Sequence, residues 1–277
     1  MYRIFLLILL LIPLPLNAEG WFFGSGGGAP VSFSCTDADT ICEDYDSDQD
    51  CGNDAANAQI CRESWTVTEA NGALTFAGTA SGSIGGQSGT YVAEFNKSGD
   101  TSTDGQLAIQ VVELTTEYVQ FYFNIVSATI DANGRWGTLL YGHNAGYTEA
   151  YATIRWEITD RTASPMEYKL VLGHFNQAGA AQTDDSSVTT MEVGTWYGVR
   201  VYWLKNQASG GTAWWIDYNL DGSFTAQTVA DGGSTHNDNI IKIAHSSHIS
   251  ATNGNLVRIQ YDMLKVDSTE MPAATVP

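Results

Sequence analysis

Residues 194–222, GTWYGVRVYWLKNQASGGTAWWIDYNLDG, constrain the architecture of this chain more than any other stretch. Trp196, Tyr197, Val199, Val201, Tyr202 and Trp203 are aromatic or β-branched and suit a pleated, half-buried surface. Residues 206–211, NQASGG, are the kind that turn a chain back on itself, so the segment predicts a hairpin. Side chains alternate along a strand, which puts Val199, Val201 and Trp203 on one face and Arg200 and Tyr202 on the other. The second arm, 213–218, runs into Asn219-Leu220-Asp221-Gly222. Asp-Gly tolerates the positive φ angles of a tight hairpin turn, which predicts a third strand directly afterwards.

The rest of the chain repeats this grammar. SWTVTEANGALTFAG (64–78) reads as a hairpin over Asn71-Gly72. TYVAEFN, QLAIQVVEL, YVQFYFNIV, WGTLLYG, YATIRWEI, EYKLVLGHF, VTTMEVG and IIKIAHS follow, with Gly, Asn, Asp and Ser between them, and 78–89 reads as a loop. Sustained helical periodicity is absent, and short strands so punctuated predict a sandwich or barrel. No repeat of blade or solenoid length is visible.

These strands carry a resemblance. GTWYGVRVYW followed by AWWIDYNLDG is similar to the central hairpin of laminin-G-like and other concanavalin A-like jelly rolls. RIQYDMLKVD (258–267) resembles the last strand of that superfamily, and ICEDYDSD (41–48) its acidic opening. The resemblance implies an all-β, two-sheet antiparallel jelly-roll sandwich over 35–271, with a Cys- and Asp-rich opening (35–64) and a short tail (272–277). Members of the superfamily include lectins, adhesion modules, glycoside hydrolases and polysaccharide lyases, so fold alone does not name the chemistry. In many of them a structural calcium links the acidic opening to an Asp of the last strand. That implies Glu43, Asp44 and Asp262 as ligands here.

Upstream, residues 1–18 combine Arg3, an apolar run from Phe5 to Leu16 and a small residue, Ala18, before Glu19. A dozen apolar residues fall short of a bilayer core of roughly 30 Å, so this segment predicts a cleaved leader, a secreted or cell-surface protein, and no membrane insertion afterwards. Residues 19–34 read as a glycine-rich tether. A formal net charge of −19 disfavours nucleic acid and anionic membranes as partners. It argues less strongly against anionic glycans, because salt screens charges beyond about 10 Å.

Cys35, Cys42, Cys51 and Cys61 cluster in the acidic opening. An even number in an exported chain predicts disulfides, and the short-loop choice pairs Cys35 with Cys42 and Cys51 with Cys61 among three possible pairings. Their spacings fit no common zinc finger or ribbon. Asp44, Asp46, Asp48 and Asp50 alternate with other residues and could gather around calcium, although acidic runs are usually solvated. Asp217, Asn219, Asp221 and Gly222 imitate half of a calcium loop, but its twelfth position is Thr228 instead of a bidentate Glu.

The second face of the strands carries the residues with binding chemistry. Tyr118, Gln120, Tyr122 and Asn124 alternate with Val119, Phe121, Phe123 and Ile125. Tyr151, Thr153, Arg155 and Glu157 alternate with Ala152, Ile154, Trp156 and Ile158, and Arg258, Gln260 and Asp262 with Val257, Ile259 and Tyr261. Were these strands to share one sheet with Arg200 and Tyr202, its outer face would carry rows of rings and planar polar groups. That mixture binds poly- or oligosaccharides, the rings stacking on sugar C–H faces and the planar groups meeting paired hydroxyls. An ordinary solvated sheet face alternates in the same way.

A catalytic reading meets obstacles. The E-x-D-x-E and E-x-D-x-x-E strand motifs of jelly-roll glucanases are absent, and RWEITD (155–160) has the wrong spacing for a carboxylate pair. Lyases of this fold neutralise a uronate with Arg, Gln or Asn and move a proton with Tyr or His, for which Arg155, Tyr151, Tyr202, Arg258 and Gln260 form a candidate set. His245 and His248 read as surface residues. No G-x-S-x-G elbow, phosphate loop or Rossmann fingerprint occurs. The sequence thus points to a carbohydrate-binding or adhesion module, with an extracellular lyase or hydrolase as one alternative and a self-assembling surface protein as another.

Overall fold

Alternation along the strands sends one set of side chains into a shared interior and the other onto two outer faces. The computed structural model describes residues 41–43, 49–50, 59–61, 66–68, 74–80, 91–97, 106–110, 116–143, 150–175, 180–204, 211–230, 242–249 and 255–267. The expected leader, the tether, Asp44, Cys35 and Cys51 lie outside the described residues. In chain order the strands are β1 (Ile41–Glu43), β2 (Gln49–Asp50), β3 (Gln59–Cys61), β4 (Thr66–Thr68), β5 (Leu74–Ala80) and β6 (Tyr91–Lys97). They continue as β7 (Gln106–Gln110), β8 (Thr116–Thr129), β9 (Trp136–His143), β10 (Ala150–Asp160), β11 (Glu167–Phe175) and β12 (Ala181–Asp185). The last are β13 (Met191–Glu192), β14 (Trp196–Leu204), β15 (Thr212–Asp217), β16 (Thr225–Ala226), β17 (Lys242–Ile249) and β18 (Leu256–Asp267).

Two antiparallel sheets make a sandwich, and no helix occurs among the described residues. The first sheet runs β16-β15-β14-β8-β18-β6-β5, with β1 also paired to β18; the second runs β12-β11-β10-β9-β17-β7-β4, with β13 also paired to β11. Phe121, Phe123, Val199, Val201, Trp214, Ile259 and Tyr261 of the first sheet meet Ile154, Trp156, Ile158, Tyr168, Leu170 and Leu172 of the second in one buried cluster. Burying each such side chain contributes about 1.5–3 kcal/mol relative to leaving it in water. Aromatic rings join the sheets directly: Tyr168 stands 6.5 Å from Phe123 and meets Tyr197 edge to face at 6.2 Å.

The hairpin expected from 194–222 is present as β14–β15, paired from Gly198↔Asp217 to Trp203↔Thr212. Other details differ. β4 pairs with β7 in the second sheet while β5 pairs with β6 in the first, so Asn71-Gly72 falls between strands of different sheets and not within a hairpin. A turn signal permits reversal, but the free edge that an arm can cover decides its partner. β5 also carries Gly78 to Ala80, which the composition had suggested as loop. After β15 the chain makes an excursion over 218–224 before β16, and the positive φ angles fall on Leu220 (55°) and Gly222 (85°), not on Asp221. The Asp217 carboxylate holds this excursion by accepting N–H bonds from Asn219 (3.1 Å), Asp221 (3.4 Å) and Gly222 (3.0 Å). Cys42 is disulfide-bonded; the pairing expected for the four cysteines lies outside the described residues.

Candidate functional site

The residues proposed for one polar and aromatic face are divided between two. Tyr118, Gln120 and Tyr122 on β8, Arg200 and Tyr202 on β14, and Arg258 and Gln260 on β18 share the outer face of the first sheet. Arg155 and Glu157 lie on β10, in the second sheet, and face away from the sandwich there; the side chain of Tyr151 lies outside the description. Alternation determines which face of a strand is buried, but any strand with an apolar face suits either sheet. For that reason the pattern could not separate β10 from β8 and β18.

On the first sheet the polar groups largely satisfy one another. Arg200 donates to Gln120 Oε1 through Nε (3.1 Å) and Nη2 (2.7 Å), and its guanidinium lies 4.4 Å from the centre of the Phe224 ring. Glu94 receives Arg258 Nε and Gln260 Nε2, each at 2.7 Å. Tyr118 and Tyr202, cross-strand partners, stack with ring centres 4.7 Å apart. The 218–224 excursion lays Leu220 and Phe224 over Tyr122, Met263 and Trp196 in a small cluster of its own. Tyr122 is fully buried, and its hydroxyl has no hydrogen-bond partner among the described residues. Burial and the nearby Asp217 charge push its pKa up, with Arg200 acting in the opposite direction. Much of this face is therefore a packed layer under a strap.

The second sheet is built differently. Its register aligns Trp136, Glu157 and Lys169 in one row, Thr138, Arg155, Val171 and Asp185 in the next, and Tyr141, Thr153, Gly173 and Thr183 in a third. Trp136, Arg155, Glu157, Lys169, Val171, Thr183 and Asp185 line a groove of about 380 Å³. Lys169 Nζ lies 2.7 Å from Asp185 Oδ2 and 3.5 Å from Glu157 Oε1, bridging the two carboxylates. Burial pulls the Lys169 ammonium down, but the Asp185 hydrogen bond and the Glu157 charge outweigh it and leave its pKa above the usual value. The Arg155 guanidinium stands 5.1 Å from the Trp136 ring centre. In the adjoining row Gly173 leaves room beside Arg155: a Cβ there would meet Thr153 Oγ1 at 2.5 Å and Arg155 Nη2 at 3.3 Å.

Lys169, Asp185, Thr183 and Trp136 escaped the sequence reading. Tyr168, Leu170 and Leu172 point inward, so alternation along β11 does signal Lys169 and Gly173 on the open face. A register shift between Ile154 and Arg155 hides the same signal on β9, where Leu139 and Leu140 are both buried and Trp136 falls out of phase.

Of the proposed metal ligands, Glu43 and Asp262 are both buried, Glu43 opposite Leu264 on β18 and Asp262 opposite Tyr122 on β8. Asp262 Oδ1 also accepts the Met263 N–H at 2.8 Å. A buried carboxylate needs several hydrogen-bond donors or a cation, and Asp262 has one such donor in the Met263 N–H. The third, Asp44, is outside the described residues, which hold no group of three His, Cys, Asp or Glu suited to a metal. The half-calcium loop at Asp217 is accounted for by its bonds to the strap's own backbone.

No known protein family matches the chain, and no curated protein does. Among solved structures it is similar to a botulinum neurotoxin serotype D/C binding domain, with 12% identity, a TM-score of 0.51, and 86% of this chain and 50% of that chain covered. It is also similar to Cip1, a cellulose induced protein, at 12% identity and a TM-score of 0.49, over 83% of this chain and 98% of that one. The chain spans about half the length of the toxin binding domains it matches. At 12% identity the likeness to the serotype D/C binding domain is one of fold alone.

Proposed function

We propose that the protein is an exported sandwich of the concanavalin A-like kind that binds carbohydrate in the groove on its second sheet. The groove itself carries this reading: one indole, two cations, two carboxylates and a hydroxyl converge on about 380 Å³ of open surface. Sugars need an aromatic surface for their C–H faces and planar or charged groups for their paired hydroxyls, and this lining supplies both. The Lys169 bridge fixes Glu157 and Asp185 in place, which lowers the ordering cost of binding. Calcium bound at Glu43 and Asp262 belongs to the same proposal as a structural ion at the acidic opening, distant in sequence from the groove residues.

A glycan array probed with the purified protein and with Trp136→Ala tests the reading. Defined oligosaccharides should be retained by the first and lost by the second. Retention unchanged in Trp136→Ala would move the site elsewhere, and an array without any bound glycan would remove the function.

A further inference from the structure

The groove contains a cation that no group among the described residues pairs with or hydrogen-bonds. Among the described residues four other cations have named partners: Arg135 has Asp131, Arg258 has Glu94, Arg200 has Gln120, and Lys169 has Asp185 and Glu157. Arg155 is half-buried, and among the described residues it has neither an ion pair nor a hydrogen bond; its Nε is buried without a partner. The hydroxyl of Thr138, its neighbour across β9, is likewise buried without one. Burial lowers the Arg155 pKa, the fields of Glu157 and Tyr141 acting the other way, as expected of a guanidinium taken partly out of water. A desolvated cation with neither an ion pair nor a hydrogen bond costs stability. The Trp136 ring beneath it and the missing side chain at Gly173 hold its plane and leave Nη2 uncrowded.

We infer that the sugar this groove selects is acidic, and that its carboxylate is received by the Arg155 guanidinium. The inference rests on the carbohydrate reading above and narrows it. A guanidinium presents a planar fork of donors that matches a carboxylate in two parallel hydrogen bonds. Neither carboxylate in reach forms an ion pair with it: Asp185 and Glu157 lie 2.7 and 3.5 Å from Lys169 Nζ, and Glu157 acts on Arg155 only through its field. The groove's two cations and two anions balance before any ligand enters, so one added carboxylate per site meets no local excess of like charge. The net charge of −19 acts mainly beyond the screening length of about 10 Å.

The test compares uronate-containing oligosaccharides (oligogalacturonate, oligoalginate and glucuronoxylan fragments) with their carboxyl-reduced forms and with sulfated analogues, by calorimetry on the full chain. At least one carboxylated probe should bind about tenfold or more tightly than its reduced form, and Arg155→Gln should bring the two within about twofold. Arg155→Lys, which keeps the charge without the fork, should fall between. Arg155→Gln removes an unpaired half-buried charge and should melt no lower than the parent; should it fail to fold, the parent's preference for carboxylated over reduced probes still decides. Binding of neutral probes at equal strength would overturn the acidic assignment while leaving the groove as a sugar site. A preference for sulfated over carboxylated probes would overturn the carboxylate. Binding of no probe, acidic or neutral, would overturn both this inference and the reading beneath it.

Discussion

Tyr122 lies across Gly198: a Cβ on residue 198 would stand 2.7 Å from Tyr122 Cε1 and 3.1 Å from Asp217 Cβ. That contact lets the Tyr122 ring lie beneath the 218–224 strap, where Phe224 meets it at 6.5 Å. Gly198→Ala should therefore cost about 1–3 kcal/mol, the usual penalty for overpacking a fixed site. Denaturant unfolding would show it as a lower midpoint. An unchanged midpoint would mean that the strap is loosely seated.

Tyr122 also bears on what the first sheet is for. Its buried hydroxyl has no partner among the described residues, so Tyr122→Phe removes an unsatisfied polar group and leaves the ring in place. Stability should hold or rise by up to about 1–2 kcal/mol. Glycan binding should not change. A clear loss of either would show that the hydroxyl has work the geometry does not reveal.

Asp217 gives the strap a pH dependence of definite sign. Burial raises its carboxyl above the ordinary value, opposed by the backbone N–H groups of Gly222 and Asn219. A raised folded pKa means that the native state holds the proton more tightly than the unfolded chain. The stabilisation from that proton is complete below the unfolded value, near 3.9, and fades as pH rises through the folded one. Asp217→Ala should lower stability at neutral pH by about 1–3 kcal/mol through three orphaned amides. The gap between parent and variant should widen as pH falls from 7 toward 4, which melts at stepped pH would record. A gap that narrows would reverse the sign argued here.

Glu43 and Asp262 make the proposed calcium testable without activity. A ligand that binds only the native state raises its stability, by about 2.7 kcal/mol at a hundredfold excess over Kd. EDTA should lower the melting temperature and calcium restore it, and Glu43→Gln or Asp262→Asn should abolish the response. A melt indifferent to both reagents would remove the ion from the account.

The strands were legible in the sequence because a one-sided sheet must alternate, and Val199, Val201 and Trp203 announce their burial by spacing alone. The sheet to which each strand belongs was not legible. Ile154, Trp156 and Ile158 satisfy the same rule as Phe121, Phe123 and Ile125, yet they line opposite walls of one core. The strap was hidden for a different reason. Leu220 and Phe224 sit in a Gly- and Asp-rich turn, and nothing local tells whether such apolar residues face water or fold back onto Tyr122 and Met263. Arg200 and Arg155 likewise read as equivalent cations on outer faces. Only the fold distinguishes the one engaged by Gln120 from the one without a hydrogen bond among the described residues.

The most direct measurement is the binding of an array-identified oligosaccharide to the parent, Trp136→Ala and Tyr202→Ala by titration calorimetry. Trp136 lines the groove of the second sheet, while Tyr202 stacks on Tyr118 on the first. Affinity should fall about thirtyfold or more in Trp136→Ala, as for an aromatic anchor at the centre of a site, and stay within about twofold in Tyr202→Ala. The reverse ranking, with Tyr202→Ala crippled and Trp136→Ala intact, would contradict the account.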